Sequence, residues 1–218
     1  MAIRSHLKKS REKMRLFEGM TYRNPVLICG FALAPAIMVT TSLKNAVAMT
    51  LAFFVVTVPT LVAASFIKNS VPRWLRSVAY ALIASVFFIP ALALVRLVHP
   101  LGVDLMGIYL PILVINSVLL SRAERFARKN KPVRALIDGS CYTVGFGVVL
   151  CVVSTIREII GAGSIWGVSL NLSQRTPAVL LPFAGFILVA FLAAFAQFLN
   201  RLLNKRIYHR SDSSGEVK

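Results

Sequence analysis

Long apolar runs recur along this chain, several reaching the ~18 residues that mark a membrane-spanning helix and carrying few charges. The chain has 218 residues, 57% hydrophobic and 15% charged. Those runs place it among integral membrane proteins, where rules for soluble cores do not apply. The runs cover residues 26–43, 46–67, 78–95, 108–120, 139–156 and 177–199. They predict an all-α integral membrane protein of six transmembrane helices. Residues 1–23 form a basic segment, 24–200 the six-helix membrane domain and 201–218 a basic, then polar tail expected to fray.

The fourth run is the unusual one. Thirteen residues of helix from Ile108 to Leu120 reach only about 20 Å, against a hydrocarbon core of about 30 Å. Pro111 lies near its start, Asn116 and Ser117 sit side by side near its end, and a dense basic segment follows. Two readings stand. One is a half-helix that ends inside protein rather than in lipid. The other is a tilted helix that borrows residues from the basic segment, with Arg122 and Arg125 snorkelling.

The first run is interrupted too, by Gly30 and Pro35, after a helix-start signal at Asn24-Pro25. Lys44-Asn45 reads as a very short turn before the second run. Pro59 and Pro90 fall inside the second and third runs, and Trp74 reads as an interfacial anchor. Gly139, Gly145 and Gly147 crowd the fifth run, and small residues there let helices approach closely. Arg157 and Glu158, at its far end, read as a structural pair. Leu7, Met14, Phe17 and Met20 recur among the N-terminal cations, a pattern suited to a short helix on an anionic membrane surface. No cleavable leader is expected, because that basic segment is too long and lacks a cleavage pattern.

The net charge of +17 does not imply nucleic acid. The cations sit in loops beside apolar runs, which the positive-inside rule explains with the lipid bilayer as the only partner. All but four of the 25 lysines and arginines fall on one side of a six-span topology; the exceptions are Lys44, Arg96, Arg157 and Arg175. That bias predicts cytoplasmic N- and C-termini. The Arg122–Arg134 cluster reads as a solvated face on that side. Cys29, Cys141 and Cys151 lie in apolar runs without CxxC spacing and read as buried thiols. His6, His99 and His209 are scattered, so no metal site is expected. No nucleophile, acid–base pair or nucleotide loop is visible, so no catalytic activity is expected of the chain alone.

The halves echo each other: an interrupted run with Ala34-Pro35 near its middle, then a longer span; and a short run ending in Asn116-Ser117, then a longer span. Three spans per half give two inverted three-helix repeats with broken helices in spans one and four.

Several motifs resemble a known family. NPVL at 24–27, TTSLKNA at 40–46, SRAERFARKN at 121–130, LIDG at 136–139 and REIIGAG at 157–163 resemble the RnfE/NqrD subunit of Rnf and Nqr complexes, in order and spacing over roughly residues 14–200. The resemblance implies a bacterial cytoplasmic-membrane subunit of an ion-translocating electron transport complex. It also implies pairing with an RnfA/NqrE-like sister subunit of opposite orientation, and contact with the other complex subunits. In that family each sister contributes two cysteines to one [2Fe–2S] cluster, from a Cys-Pro in the first broken helix and an Asn-Cys in the fourth.

Here those positions read Ala34-Pro35 and Asn116-Ser117. Ala34, Asn116 and Ser117 are therefore candidate cofactor-facing interface positions without the family's ligands. Alanine cannot ligate iron, and serine is a poor substitute for a soft thiolate. Cys29 precedes Ala34 by five residues, about 7.5 Å along a helix and about 140° round it, and does not replace it without local unwinding. In such a complex the chain is then expected to serve as a scaffold, to bind a cluster incompletely, or to carry a different redox group. The alternatives are a secondary transporter or permease with Asn116, Ser117, Thr40 and Thr41 lining a midplane site, and a purely structural membrane subunit of another redox assembly.

Overall fold

The computed structural model describes residues 37–67, 71–169 and 176–212. The N-terminal segment, Cys29, Ala34, Pro35 and most of the first expected span lie outside the described residues. What remains of that span is helical at 37–39 and closes in a turn at 40–42.

Six helices follow: α1 (Leu43–Ile67), α2 (Arg76–Val98), α3 (Gly102–Met106), α4 (Ser117–Arg125), α5 (Pro132–Arg157) and α6 (Pro182–Asp212). Among the described residues, α1, α2 and the stretch from Pro132 to Ala162 are each long and apolar enough to cross a membrane. The stretches Gly102–Tyr109 and Pro111–Lys129 pass that test only together, bent by 47° at their junction, the geometry of a broken span or a re-entrant loop. The apolar part of α6, Pro182–Phe198, is shorter. The chain is thus a multi-pass helical membrane protein. Among the described residues it departs from all-α only in a two-strand hairpin, β1 (Ser164–Ile165) against β2 (Val168–Ser169).

α1 is the central helix and packs mainly on α5 and α2. Ala46, Met49, Phe53 and Val56 of α1 and Phe146, Leu150 and Val153 of α5 belong to one buried cluster, in which the Phe53 and Phe146 rings meet at 4.7 Å. Close approach rests on small residues, as expected. A Cβ on Gly147 would stand 2.3 Å from Thr50 Cγ2, and one on Gly139 would stand 2.9 Å from Leu61 Cδ1. By contrast α2 turns Val78, Leu82, Val86 and Ile89 outward, and α6 exposes Phe183, Phe186, Phe191 and Phe195. Side chains of that kind suit lipid or another membrane subunit.

Helix boundaries differ from the sequence expectation in instructive places. Lys44 and Asn45 are not a turn; they lie in the first turn of α1. The helix can begin at Leu43 because the Glu158 carboxylate accepts its N–H at 2.6 Å, satisfying a donor that a helix start leaves open. α5 begins at Pro132 rather than near Gly139, with proline at a first-turn position where its missing N–H costs nothing. Residues 201–212, read as a fraying tail, continue α6. Leu, Lys and Arg in that stretch are good helix formers.

Candidate functional site

The break in the fourth span is built by its sequence. Gly107 has φ +47°, which turns the chain out of α3. Residues Gly107–Tyr109 and Pro111–Leu113 then form two short 3₁₀ turns. Asn116 adopts an extended conformation (φ −63°, ψ 129°) and caps α4: its Oδ1 accepts the Val118 N–H at 2.9 Å. The polar pair therefore opens a regular half-helix rather than closing one. The apolar run before it is not helical throughout, and of the basic residues after it Arg122 and Arg125 belong to the half-helix. Both sequence readings need this correction, although the capping role of Asn116 follows the residue's N-cap preference.

Asn116 is buried and Ser117 is exposed at the first position of α4. The Asn116 Nδ2 has no hydrogen-bond partner; among the described residues the same holds for Asn45 Oδ1 and Thr57 Oγ1. Beside the break, Ser85 and Phe88 of α2 and Pro111, Ile112, Val114 and Ile115 line an open, mostly apolar groove of about 340 Å³. Ile115 is 62% exposed. The break thus reaches the chain's surface, with a hydroxyl and a buried amide donor next to an apolar groove.

α4 is anchored at its basic end. Arg122 donates Nε to Asp138 Oδ2 at 2.8 Å and Nη2 to Asp138 Oδ1. Asp138 is fully buried on α5, and the Arg122 guanidinium lies 4.1 Å over the Tyr142 ring and 5.0 Å from that of Phe126. A forked guanidinium matches a carboxylate well, and this geometry offsets the desolvation of both ions. Glu124 meets Arg76 Nη1 at 3.2 Å, Tyr80 Oη at 3.2 Å and Arg128 Nε at 3.3 Å, which ties α4 to the start of α2. The basic cluster is therefore not one solvated face. Arg122 and Arg128 are engaged by carboxylates, while Arg125, Lys129, Lys131 and Arg134 are exposed.

At the opposite end of α5, Arg157 and Glu158 do not pair with each other. Arg157, with no exposed surface, donates to the carbonyls of Ile37, Val179 (3.1 Å), Leu180 (2.6 Å) and Leu181 (3.2 Å) and to Thr40 Oγ1 (2.8 Å). Thr40 in turn donates to the Ile37 carbonyl at 3.1 Å, so its hydroxyl is engaged there. Besides the Leu43 N–H, Glu158 accepts from Gly167 N at 3.2 Å and Ser164 Oγ at 3.4 Å. Sequence reasoning missed these partners because most of them are backbone groups, which no side-chain pattern reports. The signal available was one arginine and one glutamate isolated between an apolar run and GAG.

The donor set at the break does not fit an iron–sulfur cluster. It offers a serine hydroxyl and an amide whose oxygen already caps a helix, whereas such clusters are held by thiolates. Cys141 and Cys151 are free thiols on α5. Among the described residues no group of three or more His, Cys, Asp or Glu is placed to hold a metal ion.

Comparison with known proteins matches residues 13–203 to the family model described as "Rnf-Nqr subunit, membrane protein". Three similar relatives are each a subunit of a translocating oxidoreductase complex. The chain is 33% identical over 192 residues to one from the proton-translocating ferredoxin:NAD(+) oxidoreductase complex of Clostridium ljungdahlii, covering 86% of this chain and 89% of that protein. It is 32% identical over 166 residues to one from the Na(+)-translocating ferredoxin:NAD(+) oxidoreductase complex of Acetobacterium woodii, covering 76% and 85%. It is 31% identical over 213 residues to one from the ion-translocating oxidoreductase complex of Vibrio vulnificus, covering 90% and 92%.

Proposed function

The chain belongs to the Rnf-Nqr family of membrane subunits, and from that premise we propose that it is the RnfE/NqrD-type component of an ion-translocating electron transport complex, acting there as a scaffold. The scaffold role rests on one observation: the break carries a helix-capping asparagine and an exposed serine where the resemblance calls for a cluster ligand. No electron-transfer step is assigned to this chain.

Pairing with an RnfA/NqrE-like sister at the break is supported by its surface. Ser117, Ile115 and the apolar groove are presented outward, and the unpartnered Asn116 Nδ2 is a donor that a neighbouring chain can satisfy. The bias of cations toward one end supports cytoplasmic termini in a bacterial inner membrane. Six spans in two inverted repeats are supported by a recurring order. Helical residues 37–39 and a turn at 40–42 precede α1, and α4 and a turn precede α5.

A transporter needs a carboxylate free to couple an ion near mid-membrane. Within the described spans, Asp138 is held by Arg122, Glu124 by arginines and Tyr80, and Glu158 by amides, while Asp104 is exposed in the first turn of α3, at the very start of the broken span rather than near its middle. That favours the scaffold. The test is affinity purification of the tagged chain from native membranes with identification of what accompanies it. Recovery with the sister and redox subunits supports the proposal. Recovery alone, with solute uptake by the chain in vesicles, replaces it with the permease.

A further inference from the structure

Two helices joined by a tight turn at the rim of a membrane present an electrostatic problem. The first ends in carbonyls without partners, the second begins in N–H groups without partners, and little water is at hand. The turn at 40–42 joins the helical end at 37–39 to α1 in this way. The carbonyl end carries partial negative charge and the amide end partial positive charge.

Arg157 and Glu158 meet these ends with matching signs. The Arg157 guanidinium lies where two helical stretches end: it takes the Ile37 carbonyl on one side, and on the other Val179, Leu180 and Leu181, at the close of the 3₁₀ turn Pro177–Leu180. Glu158, the next residue, takes the Leu43 N–H that starts α1 and the Gly167 N–H of the hairpin. Space is kept for this. A Cβ on Gly185 would stand 2.6 Å from Ile37 Cγ2 and 3.2 Å from Arg157 Nη1. Trp166 and Gly167 hold φ of +58° and +81°, the two-residue hairpin turn that brings the Gly167 N–H to Glu158, and Lys44 Nζ lies 3.2 Å from where a Gly167 Cβ would be.

We propose that Arg157 and Glu158 act as a two-sided clamp that fixes the 40–42 turn, and with it the helical stretch at 37–39, through helix-end charges rather than through each other. Order matters in such a clamp. Exchanging the residues sets a carboxylate against carbonyl oxygens and a guanidinium against N–H groups. A lysine at 157 keeps the charge but offers three donors in place of a five-donor fork. The proposal concerns this chain's own geometry and holds whether or not the chain serves electron transport.

The experiment uses the full chain in its native membranes with Cys29, Cys141 and Cys151 replaced by serine. A cysteine reporter is placed in the turn (Ser42→Cys) or, separately, on α4 at the far end of the molecule (Ser121→Cys); both positions are half-buried. N-ethylmaleimide labelling rates are then compared. Arg157→Gln and Glu158→Gln are expected to raise labelling in the turn about tenfold, the loss of one charge-assisted contact, with labelling on α4 unchanged. The double exchange Arg157→Glu with Glu158→Arg is expected to be no better than either single variant. Arg157→Lys is expected to fall between wild type and Arg157→Gln. Should an Arg157 variant not accumulate, Glu158→Gln alone gives the same reading. Unchanged labelling in the turn, an equal rise at both reporters, or restoration by the double exchange each overturns the proposal.

Discussion

Three side chains carry the architecture at the level of single residues. Asn116 starts α4, and Asn116→Ala is expected to cost about 1 kcal/mol, as for other lost N-caps, while Asn116→Ser retains most of it. Thermal denaturation in detergent reads both. Arg122 and Asp138 form the buried ion pair. Arg122→Met leaves the Asp138 carboxylate without its forked partner inside the protein, so a loss of about 3–5 kcal/mol is expected. Arg122→Met combined with Asp138→Leu removes both charges and should recover most of that loss, a non-additivity that a double-mutant cycle measures directly. If the double variant is instead as unstable as the sum of the singles, the pair is not the interaction that matters at this position.

At the scale of elements, the contact between α1 and α5 depends on glycine. Gly147→Val must push into Thr50 and is expected to cost about 1–3 kcal/mol through overpacking. Because the offending atom is the Thr50 methyl, adding Thr50→Ser should relieve part of it. Melting of the single and double variants is the check. This contact was legible beforehand, since Gly139, Gly145 and Gly147 announce close packing by composition alone. Asparagine favours N-caps by its local chemistry, yet the sequence alone set Asn116 near the end of an apolar run rather than before a helix. What sequence could not supply were the places where a distant residue sets a local boundary. α1 starts at Leu43 rather than after Asn45 because Glu158, 115 positions away, receives its N–H. Arg157 and Glu158 looked like each other's partners because they are adjacent, yet backbone groups from three other segments took them. The first broken helix, with Ala34 and Cys29, lies outside the described residues, and its reading remains a reading of sequence.

For the whole molecule, α5 acts as a strut between two buried charges. Asp138 near one end holds the half-helix α4 through Arg122, and Arg157 at the other end holds the helical stretch at 37–39 that leads into α1. At 1.5 Å per residue these anchors are about 28 Å apart, close to the ~30 Å of a hydrocarbon core. No ionisable side chain other than Cys141, Tyr142 and Cys151 lies between them in the sequence. Charges thus stand near both ends of this long helix, while the break in the neighbouring span presents the hydroxyl of Ser117. The relatives are named for translocating protons in one organism and sodium in another.

The most direct test of that account is iron content and the EPR spectrum of the complex purified through this chain, compared with the same complex carrying Ser117→Ala. The account predicts that the partner subunits are recovered with both forms and that no [2Fe–2S] signal changes between them. A membrane [2Fe–2S] signal that is present in the native complex and lost with Ser117→Ala would contradict it, because the break would then be holding the cluster.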